Sequence, residues 1–441
     1  MLLYLEKISF YLFVFCLPFG LHKVLYQFST PFNQWTSIYL YLTDVLLFSL
    51  LFLWFWRKKS YKFLQKNRIK KEEVIKSSSF WLCLFLIVSF ISLARADNFW
   101  LGLYCWIKLL EFTGLFFYLR NNLGQIFSFK RLWWVLITSG IFQAVVALFQ
   151  YGNQRALGWW FLGESPIGVE VAGVAKITVD GLKMVRAYGS FPHPNILAAF
   201  LLFCLFSLCF LWLKRRHSFN RICFFFPVFC LLFLVLLLTF SRLTISIFLL
   251  FSLFYFAFIF WRAKKIHNEK LLSRLIWLAV LFLISCSLSL VLVWPELSSR
   301  FTISLTEQSV SLRSFYNETA LSLIGRYSWL GIGTGNFIWQ LQSMLDLLFA
   351  WAHQPVHNIY LLIASENGLL GLVLFLMFVF CAITRRSKAD KAMLFIVFSF
   401  LSIGLFDHFF WTIQQGQLMF WLVLGLVGQN LPVKDKLDKI N

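Results

Sequence analysis

Apolar runs of about 20 residues alternate with short polar breaks along almost the whole chain. A helix needs roughly 20 apolar residues to cross the hydrocarbon core of a bilayer, so most runs are long enough to span it. Of the 441 residues, 60% are hydrophobic and only 13% are charged, about half the charged share of a soluble domain. This pattern excludes a set of soluble domains, a disordered chain and a small disulfide scaffold. It predicts an all-α polytopic membrane protein.

The runs predict about 12 transmembrane helices, since a spanning segment must satisfy its backbone hydrogen bonds internally. A large outward-facing helical loop, 295–367, is expected between spans 9 and 10. The predicted spans are residues 4–21, 35–56, 80–95, 100–119, 132–151, 192–213, 222–240, 243–261, 275–294, 368–384, 392–408 and 413–428.

Basic side chains are concentrated in every second break between the predicted spans. The net charge is +21, and most of the 40 Lys and Arg lie in 57–79, 120–131, 214–221, 262–274, 385–391 or the tail 429–441. Because cytoplasmic loops carry the excess of Lys and Arg, both termini are predicted to be cytoplasmic. Topology then explains the basic excess, so the charge gives no reason to expect nucleic acid as a partner.

Two long polar segments are predicted on the outer side. In 152–191, Asp180-Gly181 is a plausible turn of a small hairpin. In the loop 295–367, the stretch 309–325 has the apolar spacing of an amphipathic helix. Arg313 and Asn317 are four residues apart in this stretch, so we expect both on one face.

Two arginines in outward positions are candidates for binding an anion. Arg242 follows Thr239-Phe240-Ser241 between two spans, where it is either a snorkelling anchor or an anion contact. Arg313 is either part of a solvated helix face or a second phosphate contact. Two converging guanidinium groups would suit a diphosphate, on which charge develops as a bond to it breaks.

His357 begins a predicted helical stretch, where it is either a cap or packed residue or a general base. An imidazole titrates near neutral pH and could take the proton of an acceptor hydroxyl. Glu366 lies nine residues later, on the opposite face of a continuous helix, so the two are not paired. We expect no metal site, because His353 and His357 are four residues apart but lack an HExxH pattern or a Cys/His group.

Other polar residues favour structural roles. The glycine-rich segment 331–336 lacks the lysine of a phosphate loop and is predicted to be a tight turn. His193, just before Pro194-Asn195 at a span entrance, and the outer pair Asp407-His408 suggest turns more than ligands. Lys108 and Glu111, three apart in one span, are expected either to neutralise each other or to help shape a cavity.

At these residues the sequence resembles the O-antigen ligase and polymerase family of bacterial membrane glycosyltransferases. The resemblance extends over about 188–428. Its parts, in chain order, are Gly189–Asn195, Ser241-Arg242, Arg313, Trp329–Phe337, His357–Leu361 and Glu366–Gly371.

The resemblance implies a GT-C-like helical fold and transfer of a glycan from an undecaprenyl-diphosphate carrier to an acceptor on the outer face of the cytoplasmic membrane. It also implies inversion at the anomeric carbon, with no metal, nucleotide sugar or other cofactor. Arg242 and Arg313 would hold the diphosphate, and His357 would activate the acceptor hydroxyl. We further predict substrate contacts from Asn358, Asn317, His193, Asn195 and Glu366.

On this basis the chain divides into spans 1–5 with an outer loop (1–191), a ligase-like region (192–428) and a cytoplasmic tail (429–441). The expected partners are the lipid-linked donor, a glycan, lipid or protein acceptor, and membrane lipid. The motifs do not separate a ligase from a polymerase. A lipid-linked sugar flippase or other transporter and a non-catalytic scaffold are the alternatives.

Overall fold

The computed structural model describes residues 1–61, 77–124, 126–214, 219–298, 308–344, 353–384 and 393–428. Within these ranges the fold is almost entirely helical, and its strands form two separate two-stranded antiparallel hairpins. Several basic positions used for the topology prediction, including Lys70, Lys71, 385–391 and the tail 429–441, lie outside the described residues.

The described residues of the first half contain five α-helices and both hairpins. In chain order its elements are α1 Leu2–Cys16, β1 His22–Gln27, β2 Ser37–Tyr41, α2 Leu42–Tyr61, α3 Ser78–Ser92, α4 Phe99–Asn122, α5 Phe129–Asn153, β3 Lys176–Val179 and β4 Leu182–Val185.

The second half is helical throughout its described elements. They are α6 Pro194–Leu213, α7 Phe219–Leu238, α8 Arg242–Lys265, α9 Glu269–Ser298, α10 Gln308–Arg326, α11 Phe337–Met344, α12 Ile359–Thr384, α13 Met393–Ile403, α14 Phe409–Thr412 and α15 Gln414–Val427.

Seven helices of the described chain are long and apolar enough to cross a membrane, and two shorter apolar helices lie at Ile222–Leu238 and Met393–Ile403. The seven are α3 extended to Arg95, α4, α5, α6, α8, α9 and α12. The chain is therefore a multi-pass membrane protein. The count of 12 spans stays a prediction.

Helix α6 is the centre of the core. Its whole apolar window is buried inside the protein, and it packs against α5, α7, α8 and α9. A helix that is apolar on every side must be enclosed by other helices or lipid, and here the other helices enclose it. The first turn of α6 is thereby held rigidly at one end of the bundle.

The two ends of the bundle differ in their polar contacts. At one end, Arg57 donates to Glu6 at 2.6 Å and also to Asn122, and Arg274 donates to the carbonyl of Leu213 at the last residue of α6. The first turn of α6 lies at the other end, beside both hairpins. Arg57 and Arg274, from two of the breaks predicted to be cytoplasmic, thus lie at the end of the bundle opposite the first turn of α6.

Two features predicted for the long polar segments are confirmed as structures. The strands β3 and β4 pair through a turn in which Asp180 and Gly181 both have positive φ, the backbone that a two-residue hairpin turn requires. The amphipathic stretch forms α10, which buries Tyr316, Ala320 and Leu323.

Three predicted span boundaries were wrong. The predicted span 35–56 begins with β2, and its helix starts only at Leu42, because an apolar run alone does not distinguish a strand from a helix. The span predicted at 368–384 starts at Ile359, with an interruption at Gly368. The span predicted at 392–408 ends at Ile403, where the chain turns before Asp407.

Candidate functional site

The first turn of α6 carries the first polar residues of the site. His193 is the N-cap of this helix, and its Nδ1 accepts a hydrogen bond from the backbone N–H of Asn195 at 3.2 Å. Pro194 occupies the first helical position, where its missing N–H costs nothing. The cap leaves the side chain of Asn195 available for contacts to other elements.

Asn195 joins two elements that are distant in sequence. Its Nδ2 donates to Oδ2 of Asp407 at 2.9 Å, and its Oδ1 accepts from the guanidinium of Arg186 at 3.0 Å. Arg186 is buried and also donates through Nε to the carbonyl of Thr239 at 2.6 Å. The amide therefore lies between a cation and a carboxylate, and each fixes one end of it.

Asp407 immediately precedes His408, whose ring faces that of His357. Oδ1 of Asp407 accepts the backbone N–H of His408 at 2.8 Å, and Nδ1 of His408 lies 2.7 Å from the hydroxyl of Thr412. The His408 ring packs edge-on against that of His357, with centroids 4.8 Å apart. These contacts bring together residues from the two ends of the segment 193–412.

His357 lies between this histidine and helix α10. Its ring is parallel to that of the buried Tyr316, at a centroid distance of 6.0 Å. Arg313 is one helical turn before Tyr316, on an exposed part of α10. None of the ion pairs within the described part of the chain involves Arg313.

The electrostatic surroundings keep the imidazoles neutral near pH 7. Removal from water lowers the pKa of His357; the carboxylate of Asp407 opposes this shift, and Arg313 adds to it. The same desolvation, reinforced by the neighbouring cationic groups, lowers the pKa of His193 and of His408. Burial would raise the pKa of Asp407, but the three histidines and the Asn195 amide outweigh it and hold that pKa below its usual range.

Arg242 begins α8 immediately after a short reversal of the chain, in which Phe240 has positive φ. The carbonyl that receives Arg186 belongs to Thr239, three residues before Arg242. Arg242 is thus close in sequence to Thr239, which contacts the cluster through Arg186. The cations that affect the pKa of His193 are Arg186 and Arg313, and Arg313 also affects that of His408.

The predicted residues after His357 have structural contacts. Oδ1 of Asn358 accepts the backbone N–H groups of Tyr360 and Leu361, so the side chain caps α12. Oε1 of Glu366 accepts the N–H of Phe337 at 3.3 Å, at the start of α11 directly after the glycine-rich segment. Asn317 lies on α10 one turn after Arg313, partly buried.

The glycine-rich segment 331–336 is a tight connection, as predicted, and it docks onto an interruption in α12. At Gly368 the backbone leaves the helix with φ 72° and ψ 174°. The carbonyls of Ser365 and Glu366 consequently accept N–H groups from Ile332 and Gly333, at 2.9 and 3.0 Å. This docking connects α10 to α12.

Sequence reasoning missed two contributors to the site. Arg186 looked like one of several outer-loop charges, and nothing local distinguished it. The pair Asp407-His408 was noticed as an outer-edge feature, but its proximity to His357 depends on the packing of α12 against the last helices. The available sequence signal for this pair was a carboxylate, Asp407, next to a histidine, His408, between two apolar runs.

A cavity of about 290 Å³ adjoins the cluster. Its wall includes Trp35, whose ring packs edge-on against His408, and Thr412, which bonds to His408. Pro192 and Pro355, beside His193 and His357, also line it. The cavity is therefore continuous with the surroundings of the histidines.

One wall of the cavity carries a buried charge network. Nζ of Lys108 lies 2.6 Å from Oδ1 of Asp44 and 2.7 Å from Oε2 of Glu111. The expected pairing of Lys108 with Glu111 is confirmed, and Asp44 is an additional partner from α2. Among the described residues, no group of three or more His, Cys, Asp or Glu is arranged to hold a metal ion.

Comparison with known families decides what this arrangement belongs to. Residues 227–376 match the family model described as O-Antigen ligase. This segment is an O-antigen ligase family domain. No curated protein matches the chain.

The O-antigen ligase segment contains Arg242, Arg313, His357 and Glu366, whereas Arg186, His193, Asn195 and the Asp407-His408 pair lie outside it. The resemblance found in the sequence is thereby confirmed over residues 227–376. Membership of the segment in this family supports a membrane protein that transfers glycans.

Proposed function

We propose that the chain is a membrane glycosyltransferase that moves a glycan from undecaprenyl diphosphate to an acceptor hydroxyl or amide on the outer face of the cytoplasmic membrane. The O-antigen ligase segment supports the reaction class. The apolar helical body supports a donor with a long polyprenyl tail, because such a tail can lie against lipid-facing helices while its head group reaches the polar end.

In the proposed reaction, the acceptor oxygen or nitrogen forms a bond to the anomeric carbon as the bond from that carbon to the diphosphate oxygen breaks. The electron pair leaves with the diphosphate, and the acceptor proton goes to a base. Attack opposite the leaving group inverts the anomeric centre. Diphosphate is already a good leaving group, so the protein's main tasks are removing the proton and stabilising negative charge.

His357 is the proposed base. Its lowered pKa keeps the imidazole neutral and able to accept a proton near pH 7. Nδ1 of this ring is buried and has no hydrogen-bond partner among the described side chains and backbone groups. Packing between Tyr316 and His408 limits the orientations of the ring.

Arg313 is the proposed contact to the departing diphosphate, with Arg242 as a second cation. A guanidinium stays charged at all relevant pH and can bind phosphate oxygens through two N–H groups. Arg313 is close enough to His357, His193 and His408 for its charge to lower the pKa of each. We assign Asn317, His193, Asn195, Asn358 and Glu366 supporting contacts around these groups.

One observation carries the proposal. A guanidinium with no ion-pair partner among the described residues, that of Arg313 on α10, and a neutral imidazole from the start of α12 lie at the same end of the bundle, within the O-antigen ligase segment. Positive charge beside a base is the combination that transfer from a glycosyl diphosphate needs.

The test is complementation of a deletion strain with His357→Ala and Arg313→Ala, comparing membrane protein levels and surface glycans. Both variants should accumulate in the membrane and fail to transfer. Normal surface glycan from a variant would remove that residue from the mechanism. In the deletion strain, long chains left on the carrier would indicate a ligase, whereas single repeat units would indicate a polymerase.

A lipid-linked sugar flippase is the second candidate, and one observation favours it. The buried network of Lys108, Asp44 and Glu111 places ionisable groups inside the helical body, as transporters commonly do. Purified protein in liposomes should then move a labelled carrier lipid across the bilayer without transferring its glycan. Transfer without such movement would exclude this alternative.

A further inference from the structure

The cavity beside the histidines has a wall chemistry that differs from that of the arginine side of the site. Aromatic rings of β2, α4 and the last helices face it, including Tyr41, Tyr104 and Trp411. Amide side chains line the same space, among them Gln414 and Gln415. The cavity is thus neither a purely apolar lipid groove nor a cluster of cations.

The charge in its wall is already paired. Lys108 is held by the carboxylates of Asp44 and Glu111, and its Nζ lies 5.7 Å from the centroid of the Tyr41 ring. A cation between two carboxylates has little attraction left for a phosphate. Arg313, by contrast, has no carboxylate partner in the described part of the chain.

Gln414 supplies a hydrogen-bond acceptor that no donor in the described part of the chain satisfies. Its Nε2 donates to Oγ1 of Thr43 at 3.1 Å and to Oδ1 of Asp44. A carboxylate only accepts hydrogen bonds, so this contact identifies the nitrogen of the amide. Its Oε1 then has no donor among the described residues, although the side chain is 97% buried. A buried acceptor normally has a partner.

A sugar ring matches these features. Its edge carries hydroxyl groups that both donate and accept, and its faces carry C–H groups that pack on aromatic rings. The volume of about 290 Å³ is just below the roughly 300–1,000 Å³ typical of ligand pockets, which suits one or two sugar units.

We infer that this cavity is a saccharide subsite, in which a sugar hydroxyl donates to Oε1 of Gln414 and the ring packs against the tyrosine and tryptophan side chains. The inference rests on the proposed function, because it assigns the cavity to a sugar of the donor or of the acceptor. Its position next to Trp35 and Thr412 puts that sugar beside the His357–His408 pair.

The test is saturation-transfer difference NMR on the purified full-length chain in detergent. Two probes are used: the donor glycan released from its diphosphate lipid, and the acceptor glycan released from its anchor. At least one free oligosaccharide should show binding to the wild type. Binding of the donor glycan alone identifies a donor subsite, and binding of the acceptor glycan alone identifies an acceptor subsite.

Gln414→Met keeps the side-chain length and removes the acceptor together with the Nε2 donations to Thr43 and Asp44, so binding should weaken about three- to tenfold. Ser165→Leu fills part of the same cavity from a different segment and should weaken binding without disturbing the Asp44 network. Gln342→Met, a glutamine on α11 outside the cavity, is the matched control and should bind normally.

The inference is overturned if neither oligosaccharide binds the wild type, or if Gln414→Met and Ser165→Leu both bind as the wild type does. His357→Ala separates this result from the proposed function, because it should lose transfer and keep oligosaccharide binding. A wild-type chain that binds the oligosaccharide and performs no transfer would remove the proposed function and leave the subsite.

Discussion

A buried imidazole serves as a base only while it is neutral, and the surroundings of His357 determine that state. Desolvation and Arg313 lower its pKa, while Asp407 acts in the opposite direction. The same groups also position it, since Asp407 is tied to Asn195 and precedes the His408 ring that packs on His357. At the scale of single residues, burial therefore sets the protonation state of His357, and the carboxylate of Asp407 opposes that shift while helping to place the ring.

This balance predicts a pH profile. The base must be unprotonated, so transfer should be constant near pH 7 and decline as the pH falls through the folded pKa of His357, which lies below the usual 6.5. Asp407→Asn removes the group that raises this pKa, so the acid limb should move to lower pH. The measurement is kcat against pH for both proteins.

Glu170→Gln, at an exposed carboxylate of the outer loop, is the control and should leave the profile unchanged. An acid limb that stays in place, or moves upward, in Asp407→Asn would contradict the assignment of His357 as the titrating base.

Single residues could be predicted from sequence where helical period or turn chemistry decides their position. Arg313 and Asn317 were expected on one face, and Asp180-Gly181 was expected to form a turn, because both depend on neighbours within a few residues. The contacts of Arg186 with Asn195 and of Lys108 with Asp44 could not be predicted. The partners of each pair come from separate elements, and no local pattern encodes their approach.

At the scale of elements, the interruption of α12 links the outer helix to the membrane body. A Cβ at Gly368 would lie 2.0 Å from the carbonyl oxygen of Trp329, and the φ of 72° disfavours any side chain there. The predicted span began at this glycine because the preceding polar residues resembled a loop. They are instead helical, since Asn358 caps the helix and the docked segment 331–336 satisfies its interrupted backbone.

Gly368→Ala should therefore destabilise the protein strongly, by about 3 kcal/mol or more. The measurement is the melting temperature in detergent together with the level of the variant in membranes. Gly325→Ala is the matched control: this glycine lies in α10 with open space around its Cβ position. It should be neutral or slightly stabilising, by up to about 1 kcal/mol. Equal stabilities of the two variants would show that the docked interruption contributes little.

The ion pairs of Lys108 join α2 to α4, so they give a second prediction at the scale of elements. Lys108→Met leaves the carboxylates of Asp44 and Glu111 buried without their cation, which should cost about 3–5 kcal/mol. Lys183→Met, at an exposed position of β4, should change stability by less than about 0.5 kcal/mol. Melting temperatures compare the two. A Lys108→Met variant as stable as Lys183→Met would mean that the network is dispensable.

At the scale of the whole molecule, the polar contacts separate into two ends of one bundle. Arg57, Glu6 and Asn122 meet at one end, and the histidine cluster is built on the first turn of α6 at the other. The distribution of Lys and Arg predicts that the first end is cytoplasmic. The site would then face outward, where a lipid-linked glycan is used.

Reporter fusions test this orientation. Alkaline phosphatase inserted at the exposed turn Asp180-Gly181 should be active, since that enzyme works outside the cytoplasm. A fluorescent protein at the C-terminus should be bright, because it matures inside. Inactive phosphatase at the turn with external exposure of the C-terminus would reverse the orientation and remove the proposed site from the outer face.

The structural class of the whole molecule could be predicted, because the apolar runs of the sequence alone require membrane-spanning helices. The α2 boundary was not, because β2 and α2 form one continuous apolar run. The cavity also could not be predicted, since its wall combines β2, α4, α12 and α15, which only the folded bundle brings together.

The most direct test of the account is glycan transfer by the purified chain reconstituted in liposomes with a diphosphate-linked donor and an acceptor. We predict that His357→Asn lowers the transfer rate at least about hundredfold. His267→Asn, at an exposed histidine beyond the end of α8, should leave the rate unchanged. A His357→Asn protein that folds normally and transfers glycan at the wild-type rate would contradict the central claim.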